Sequence, residues 1–177
     1  MKKLKTDELN RIDVETFKNA PKTPIVVVLD NIRSLNNIGS VFRSSDAFRI
    51  EKIYLCGITC TPPHRDINKT ALGATESVDW EYFKTTEECI NKLKDEGFLI
   101  AGIEQTDQSV LLNEYIPAKS QKIAVVFGNE VFGIDDNVID LLDISIEIPQ
   151  IGTKHSLNIS VCCGIILYDL FTKLNSK

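Results

Sequence analysis

Five short runs rich in apolar and β-branched residues recur along the chain, at 25–29, 53–56, 98–101, 123–127 and 144–148. The run Ile25-Val26-Val27-Val28-Leu29 has no polar interruption before Asp30, the signature of a strand buried on both faces. Helical patterns lie between the runs. One covers 38–47, a second is opened by the capping box Thr85/Glu88 and continues to Lys94, and a short one covers 135–141. The longest covers 157–173 and is apolar nearly all round, which predicts deep packing on every side. Strand–helix alternation with continuous apolar strands predicts an α/β fold around a mostly parallel sheet flanked by helices. No repeat, low-complexity tract or linker divides residues 1–177, so a single domain is expected. Its first twenty residues are a polar extension carrying a short helix, and Pro21 and Pro24 mark the entry to the first strand.

Composition narrows the classes. The chain has 177 residues, 43% apolar and 25% charged, enough for a hydrophobic core and unlike a disordered, collagenous or coiled-coil sequence. Twenty Lys and Arg against 25 Asp and Glu leave a net charge of −5. A nucleic-acid surface must then be a local patch, or be gathered by subunits acting together. No stretch approaches the roughly 18 apolar residues of a membrane span. Met1-Lys2-Lys3-Leu4-Lys5 has no apolar run behind it, so no secretion signal is expected. The five cysteines are odd in number and read as reduced thiols of a cytoplasmic protein. Cys56, Cys60 and His64 form only half of a zinc-site pattern, so no metal is expected.

Ligands of open parallel sheets bind beyond the carboxyl ends of the strands, which directs attention to three loops. The first, Asp30 to Arg43, has no Gly-x-Gly; it offers Asn36, Asn37, Gly39 and Arg43, with Asn36 or Asn37 placed to cap a helix. The second, Gly128-Asn129-Glu130-Val131-Phe132-Gly133, begins like a P-loop. Ile134-Asp135 stands where Lys-Ser/Thr is required, so ATP binding in that manner is excluded. Two glycines there suit close backbone approach, and Glu130 is a carboxylate in the loop. The third, Ile148 to Ser160, sets Ser156, Asn158 and Ser160 at the mouth of the apolar helix. Ser156 is a candidate cap, and Asn158 is expected inside the first turn. His155 adjoins Ser156, but neighbours cannot make a Ser–His pair and no Gly-x-Ser-x-Gly elbow exists, which excludes a hydrolase of that design.

Three loops of this kind in this order resemble the SpoU (TrmH-type) family of RNA ribose 2′-O-methyltransferases of the SPOUT superfamily. Asn37-Ile38-Gly39-Ser40-Val41-Phe42-Arg43 matches Asn-x-Gly-x-x-x-Arg. Phe127-Gly128-Asn129-Glu130-Val131-Phe132-Gly133 matches Phe-Gly-x-Glu-x-x-Gly. Ile148-Pro149-Gln150 and Ser156-Leu157-Asn158-Ile159-Ser160 match Ile-Pro-Met and Ser-Leu-Asn-x-Ser, with Gln150 departing from the usual Met. The resemblance implies an α/β knot whose C-terminal segment threads a loop. It implies S-adenosylmethionine bent within the knot against Gly128, Ile148 and Leu157, with Ile103 and Glu104 closing the adenine side. It implies a homodimer with active sites built across the interface.

The resemblance also implies catalytic roles for Arg43, Asn37, Glu130, Ser156 and Asn158. Arg43 would serve as general base or as stabiliser of the alkoxide; a guanidinium pKa above about 12 makes the second physically easier. Glu130 would orient Arg43 or donor-side groups, Asn37 would hold the catalytic loop or the ribose, and Ser156 and Asn158 would fix the nucleotide. Candidate RNA contacts are Arg33, His64 and Arg65, with Lys2, Lys3, Lys5, Arg11 and Lys69 behind them, and Thr61 to Asp66 is expected as an exposed loop. By analogy with leaner family members tRNA is favoured over rRNA. A knotted RNA-binding protein without catalysis is the alternative. A receiver-type domain, suggested by the run ending at Asp30, fails because Lys122 precedes its strand rather than following it.

Overall fold

The computed structural model describes residues 1–176, the side chains of Thr6 and Asp7 aside. Strands β1 (Thr23–Asp30), β2 (Ile50–Cys56), β3 (Trp80–Phe83), β4 (Leu99–Ile103), β5 (Val110–Leu111), β6 (Ile123–Phe127) and β7 (Ile144–Glu147) form one sheet in the order β3-β2-β1-β6-β4-β7-β5. Every pairing in it is parallel. The helices are α1 (Val14–Asn19), α2 (Leu35–Ala47), α3 (Arg65–Ala71), α4 (Ala74–Ser77), α5 (Thr86–Asp95), α6 (Asp136–Ile139) and α7 (Ile159–Asn175), with a 3₁₀ turn at Thr6–Leu9.

Alternation along the central strands creates two cores. Ile25, Val27 and Leu29 of β1 face a layer containing Phe17, Ile38, Phe42, Ile67 and Leu170, so α1, α2, α3 and α7 cover that side. Val26 and Val28 face Cys89, Ile90, Leu93 and Val138, so α5 and α6 cover the other. A strand buried twice has no polar face to show, and this is why β1 and β6 read as uninterrupted apolar runs. From β1 the chain steps outward to β2 and β3, whereas the later strands lie on the other side of it. The boundary between β1 and β6 is thus a switch point, where the loops after the two strands meet.

The α/β expectation holds, with differences at its margins. The edge strands β3 and β5 carry no continuous apolar run: β3 is half-exposed and holds Glu81, and β5 has two residues. Residues 61–66 are not all loop, because His64 N-caps α3 and Arg65 is its first residue. Ser34, not Asn36 or Asn37, caps α2. The longest helix is not buried all round: Val161, Ile165 and Tyr168 are 52%, 38% and 59% exposed, one stripe of an otherwise packed helix. No helix among the described residues is long and apolar enough to cross a membrane.

Gly39 is where α2 rests on α3. A Cβ there would overlap the Ile67 carbonyl oxygen and Thr70 Oγ1. Gly164 of α7 has only Ser44 Oγ near, at 3.9 Å. In urea titrations Gly39→Ala is expected to lower stability by about 1–3 kcal/mol through overpacking. Gly164→Ala is expected to raise it by about 0.5–1 kcal/mol, as for a mid-helix glycine with room for a methyl. Equal effects at the two sites would contradict this packing.

Candidate functional site

Beyond the carboxyl ends of β4, β6 and β7 lies a cleft of about 1060 Å³. Ile103, Glu104, Gly128, Ile148 and Leu157 all line it, and Glu130, Ser156 and Asn158 join them. Among the described residues its ionisable side chains are Glu104, Asp107, Glu130, Asp136, Glu147, His155 and the thiol of Cys162, so the cleft is acidic and contains no lysine or arginine. Arg33, Arg43, His64 and Arg65 lie outside it, exposed on the α2–α3 side.

The side chains of the three loops are joined by hydrogen bonds. Glu130 Oε2 accepts from the Arg33 amide at 3.0 Å, and Oε1 accepts from the Ser34 amide at 2.9 Å and from Asn37 Nδ2 at 3.1 Å. Asn37 is 9% exposed, and its Oδ1 accepts from Asn158 Nδ2 at 3.2 Å. Asn158 Oδ1 in turn accepts from the Ser160 amide at 2.9 Å and from its hydroxyl at 2.7 Å. Asn158 is therefore the N-cap of α7 rather than a residue of its first turn. Partial burial works against the charge of Glu130, but the amides of Arg33 and Ser34 and the Asn37 carboxamide outweigh it and hold its carboxyl below the usual glutamate range.

The loop after β6 is closed on itself. The amide of Asn129 donates to the Gly133 carbonyl and the reverse pair forms as well, both at 2.9 Å. Asn129 Nδ2 donates to the Asn31 carbonyl at 2.7 Å, tying the loop to the end of β1. A Cβ on Gly128 would overlap the Gly133 and Ile134 backbone, which is why only glycine fits. Gly133 has φ +72° and packs its Cα against the Glu104 carboxylate, whose Oε2 accepts from the Ile134 amide at 3.1 Å. The next residue, Gln105, reaches the other way and donates from Nε2 to the His155 carbonyl at 2.9 Å. Asp30, 1% exposed, accepts from Thr86 Oγ1, Asn31 Nδ2 and the Asp135 amide. Burial pushes its carboxyl above the usual range, against the pull of the Thr86 and Asp135 hydrogen bonds.

Asn37, Glu130 and Asn158 thus form one chain of contacts, and Ser156 is exposed on the cleft wall. The carboxylate of Glu130 is engaged with the α2 loop; no hydrogen bond joins it to Arg43. Arg43 stands on α2 without hydrogen bond or ion pair among the described residues. His64 Nδ1 accepts from the Asp66 amide at 3.2 Å and caps α3. Asn129, Gln105 and Asp30 were not singled out from the sequence. The pair Gly128-Asn129 signals a tight turn but not the amide contacts Asn129 makes across 98 residues.

Residues 24–168 match the family model described as the SpoU rRNA Methylase family. A Staphylococcus aureus protein named as a TrmH family tRNA/rRNA methyltransferase is 30% identical over 84% of the chain and 58% of its own length. The chain thus spans about three fifths of that relative. An AdoMet-bound rRNA methyltransferase from Sinorhizobium meliloti superposes with a TM-score of 0.80 at 25% identity, covering 90% of this chain and 61% of that one. A. aeolicus TrmH/SpoU tRNA modifying enzyme gives 0.78 at 25% identity, covering 90% and 79%.

The lowered carboxyl pKa of Glu130 has a definite pH signature. Its stabilising contribution is complete above the unfolded glutamate pKa of about 4.3 and is lost as pH falls through the lower folded value. Glu130→Gln puts an amide where donors converge, so wild type is expected to be more stable by about 1 kcal/mol or more near neutrality. The gap is expected to close in urea titrations taken progressively below pH 4.3. A gap unchanged in acid would show that the carboxylate charge is not what holds the α2 loop.

Proposed function

This chain belongs to the SpoU rRNA Methylase family, and on that premise we propose that it is an S-adenosylmethionine-dependent RNA methyltransferase acting on a ribose 2′-hydroxyl, in tRNA in preference to rRNA. The observation that carries the proposal is the chain Asn158–Asn37–Glu130, which links all three motif loops beside a cleft of the right size. Small-molecule sites occupy about 300–1,000 Å³. The site chemistry fits the cofactor. Five carboxylates suit a sulfonium cation and oppose a phosphate-rich cofactor, and Gly128 and Gly133 present backbone rather than side chain to the cleft. When bound, the cofactor supplies an activated methyl group on positively charged sulfur. Gly128, Ile148 and Leu157 would hold it, with Ile103 and Glu104 at the adenine side.

The protein's own task is alignment and charge. Glu130 and Asn37 fix the loop that opens α2, and Asn158 with Ser156 positions the ribose. Orientation of this kind supplies about 7–11 kcal/mol in well-aligned systems. The planar guanidinium of Arg43 offers several donors and positive charge, so its fitting role is to stabilise the developing alkoxide or the adjoining phosphate. Because it does not line the cleft of its own chain, its participation requires a second copy. The stripe Val161, Ile165 and Tyr168 on α7, with the fully exposed Ile151 nearby in sequence, supports a homodimer. The passage from β7 through 148–158 into α7, which packs beside α2 on one face of the sheet, supports the threaded, knotted connection of the family. The preference for tRNA rests on analogy with leaner family members, since likeness to the A. aeolicus tRNA modifying enzyme and to the S. meliloti rRNA methyltransferase is equal at 25% identity. The reaction is placed in the cytoplasm with its RNA, and no metal enters it.

Radiolabelled methyl transfer to fractionated tRNA and rRNA, followed by nucleoside analysis, tests the reading. Label is expected in a 2′-O-methylnucleoside of tRNA, with Arg43→Ala lowering the rate by about 100-fold or more, as for loss of an oxyanion-stabilising group. Label in rRNA would move the substrate. Label on a base would overturn the 2′-O chemistry. Cofactor and RNA binding without label would favour the non-catalytic reading. In sedimentation the wild type is expected as a dimer and Ile165→Glu as a monomer; a monomeric wild type would remove the shared active site.

A further inference from the structure

Val131 and Phe132 are 64% and 84% exposed at the tip of the loop after β6, and both line the cleft. An exposed Phe forgoes about 2–3 kcal/mol of burial, yet this one is presented by a fixed backbone. The amides of Val131 and Phe132 donate to Asn129 Oδ1 at 2.9 and 3.3 Å, and Asn129 Nδ2 is anchored on Asn31. The adjacent Glu130 is held by three donors from the α2 loop. The ring therefore sits on a closed turn, pinned on both sides.

We propose that Phe132 is a stacking platform for a nucleobase of the RNA substrate, at or next to the ribose that enters the cleft. The proposal rests on the RNA reading given above and deepens it. Three observations favour a base over a protein surface. A protein seated on Val131 and Phe132 would cover the mouth of the cleft itself, because both residues line it. The same tip joins, through Glu130, the α2 loop, and beyond it lie the exposed cations Arg33, Arg65 and Lys69, partners for a phosphate backbone on an otherwise acidic chain. Phe132 lines the same cleft as Ser156 and Asn158, the residues proposed to position the ribose. A lone aromatic face has no donors or acceptors, so it grips any base by its π surface and leaves sequence choice to other groups.

The test compares RNA with a backbone lacking bases. Binding of bulk tRNA and of inorganic polyphosphate is measured for wild type, Phe132→Ala, Phe132→Tyr and Phe132→Trp, together with S-adenosylmethionine affinity and sedimentation. Phe132→Ala is expected to weaken tRNA binding about 5- to 100-fold, the range for loss of one stacked base. Polyphosphate binding, cofactor affinity and oligomeric state are expected to stay unchanged, and the Tyr and Trp variants are expected to restore tRNA binding. The Trp variant is also expected to lose fluorescence on adding tRNA but not polyphosphate. Equal losses for tRNA and polyphosphate, unaltered tRNA binding in Phe132→Ala, or a change of oligomeric state would each overturn the platform. Wild type that binds cofactor but no RNA would instead overturn the RNA reading, and the platform with it.

Discussion

The geometry of this site depends on one carboxylate. Glu130 leaves the end of β6 and accepts hydrogen bonds from two backbone amides of the loop after β1 and from the Asn37 side chain. An ionised acceptor with three donors is worth more than three neutral contacts, and its charge also suits the start of α2, where backbone N–H groups have no helical partner. From Asn37 the order passes to Asn158, and so to the first turn of α7. Three segments that belong to different parts of the chain are thereby held in one arrangement before any ligand arrives, which is the condition under which alignment accelerates a reaction.

Charge is divided around this centre. The cleft collects carboxylates, while the cations next to it stand on the far side of the α2 loop, on α2 and α3. A cationic donor and a polyanionic acceptor have opposite needs, and a uniform surface would satisfy one by repelling the other. A net charge of −5 conceals this arrangement, because the average over the chain says nothing about two neighbouring patches of opposite sign.

Much of this was legible in the sequence. Continuous apolar strands can only be buried on both faces, so β1, β2, β4 and β6 and the α/β class followed from patterning. Asn37, Glu130 and Asn158 stand out through the resemblance of the three loops to family motifs; by residue type alone each also suits a cap or a turn. What could not be read were contacts set by the third dimension. Asn129 looks like a turn residue, but its work is to bond the carbonyl of Asn31; Glu104 looks like an ordinary acid, but it seats Gly133. The exposed stripe of α7 was hidden for another reason: apolarity all round a helix predicts burial and does not say by which chain. Within one chain Glu130 accepts from Arg33, Ser34 and Asn37 and not from Arg43, contacts that pair spacing along the sequence does not reveal.

The links that define the site are long in sequence. Asn37 and Glu130 are 93 positions apart, and Asn37 and Asn158 are 121 apart. Joining such distant segments costs chain entropy that only a nearly completed sheet repays. Half of this polypeptide is therefore not half of a binding site. Until the last helix has docked, the cleft lacks a wall and Asn37 Oδ1 lacks its donor, so the complete site exists only in the complete fold. A ligand that binds here selects chains that have finished, and its affinity measures the completeness of the fold as much as the chemistry of the cleft.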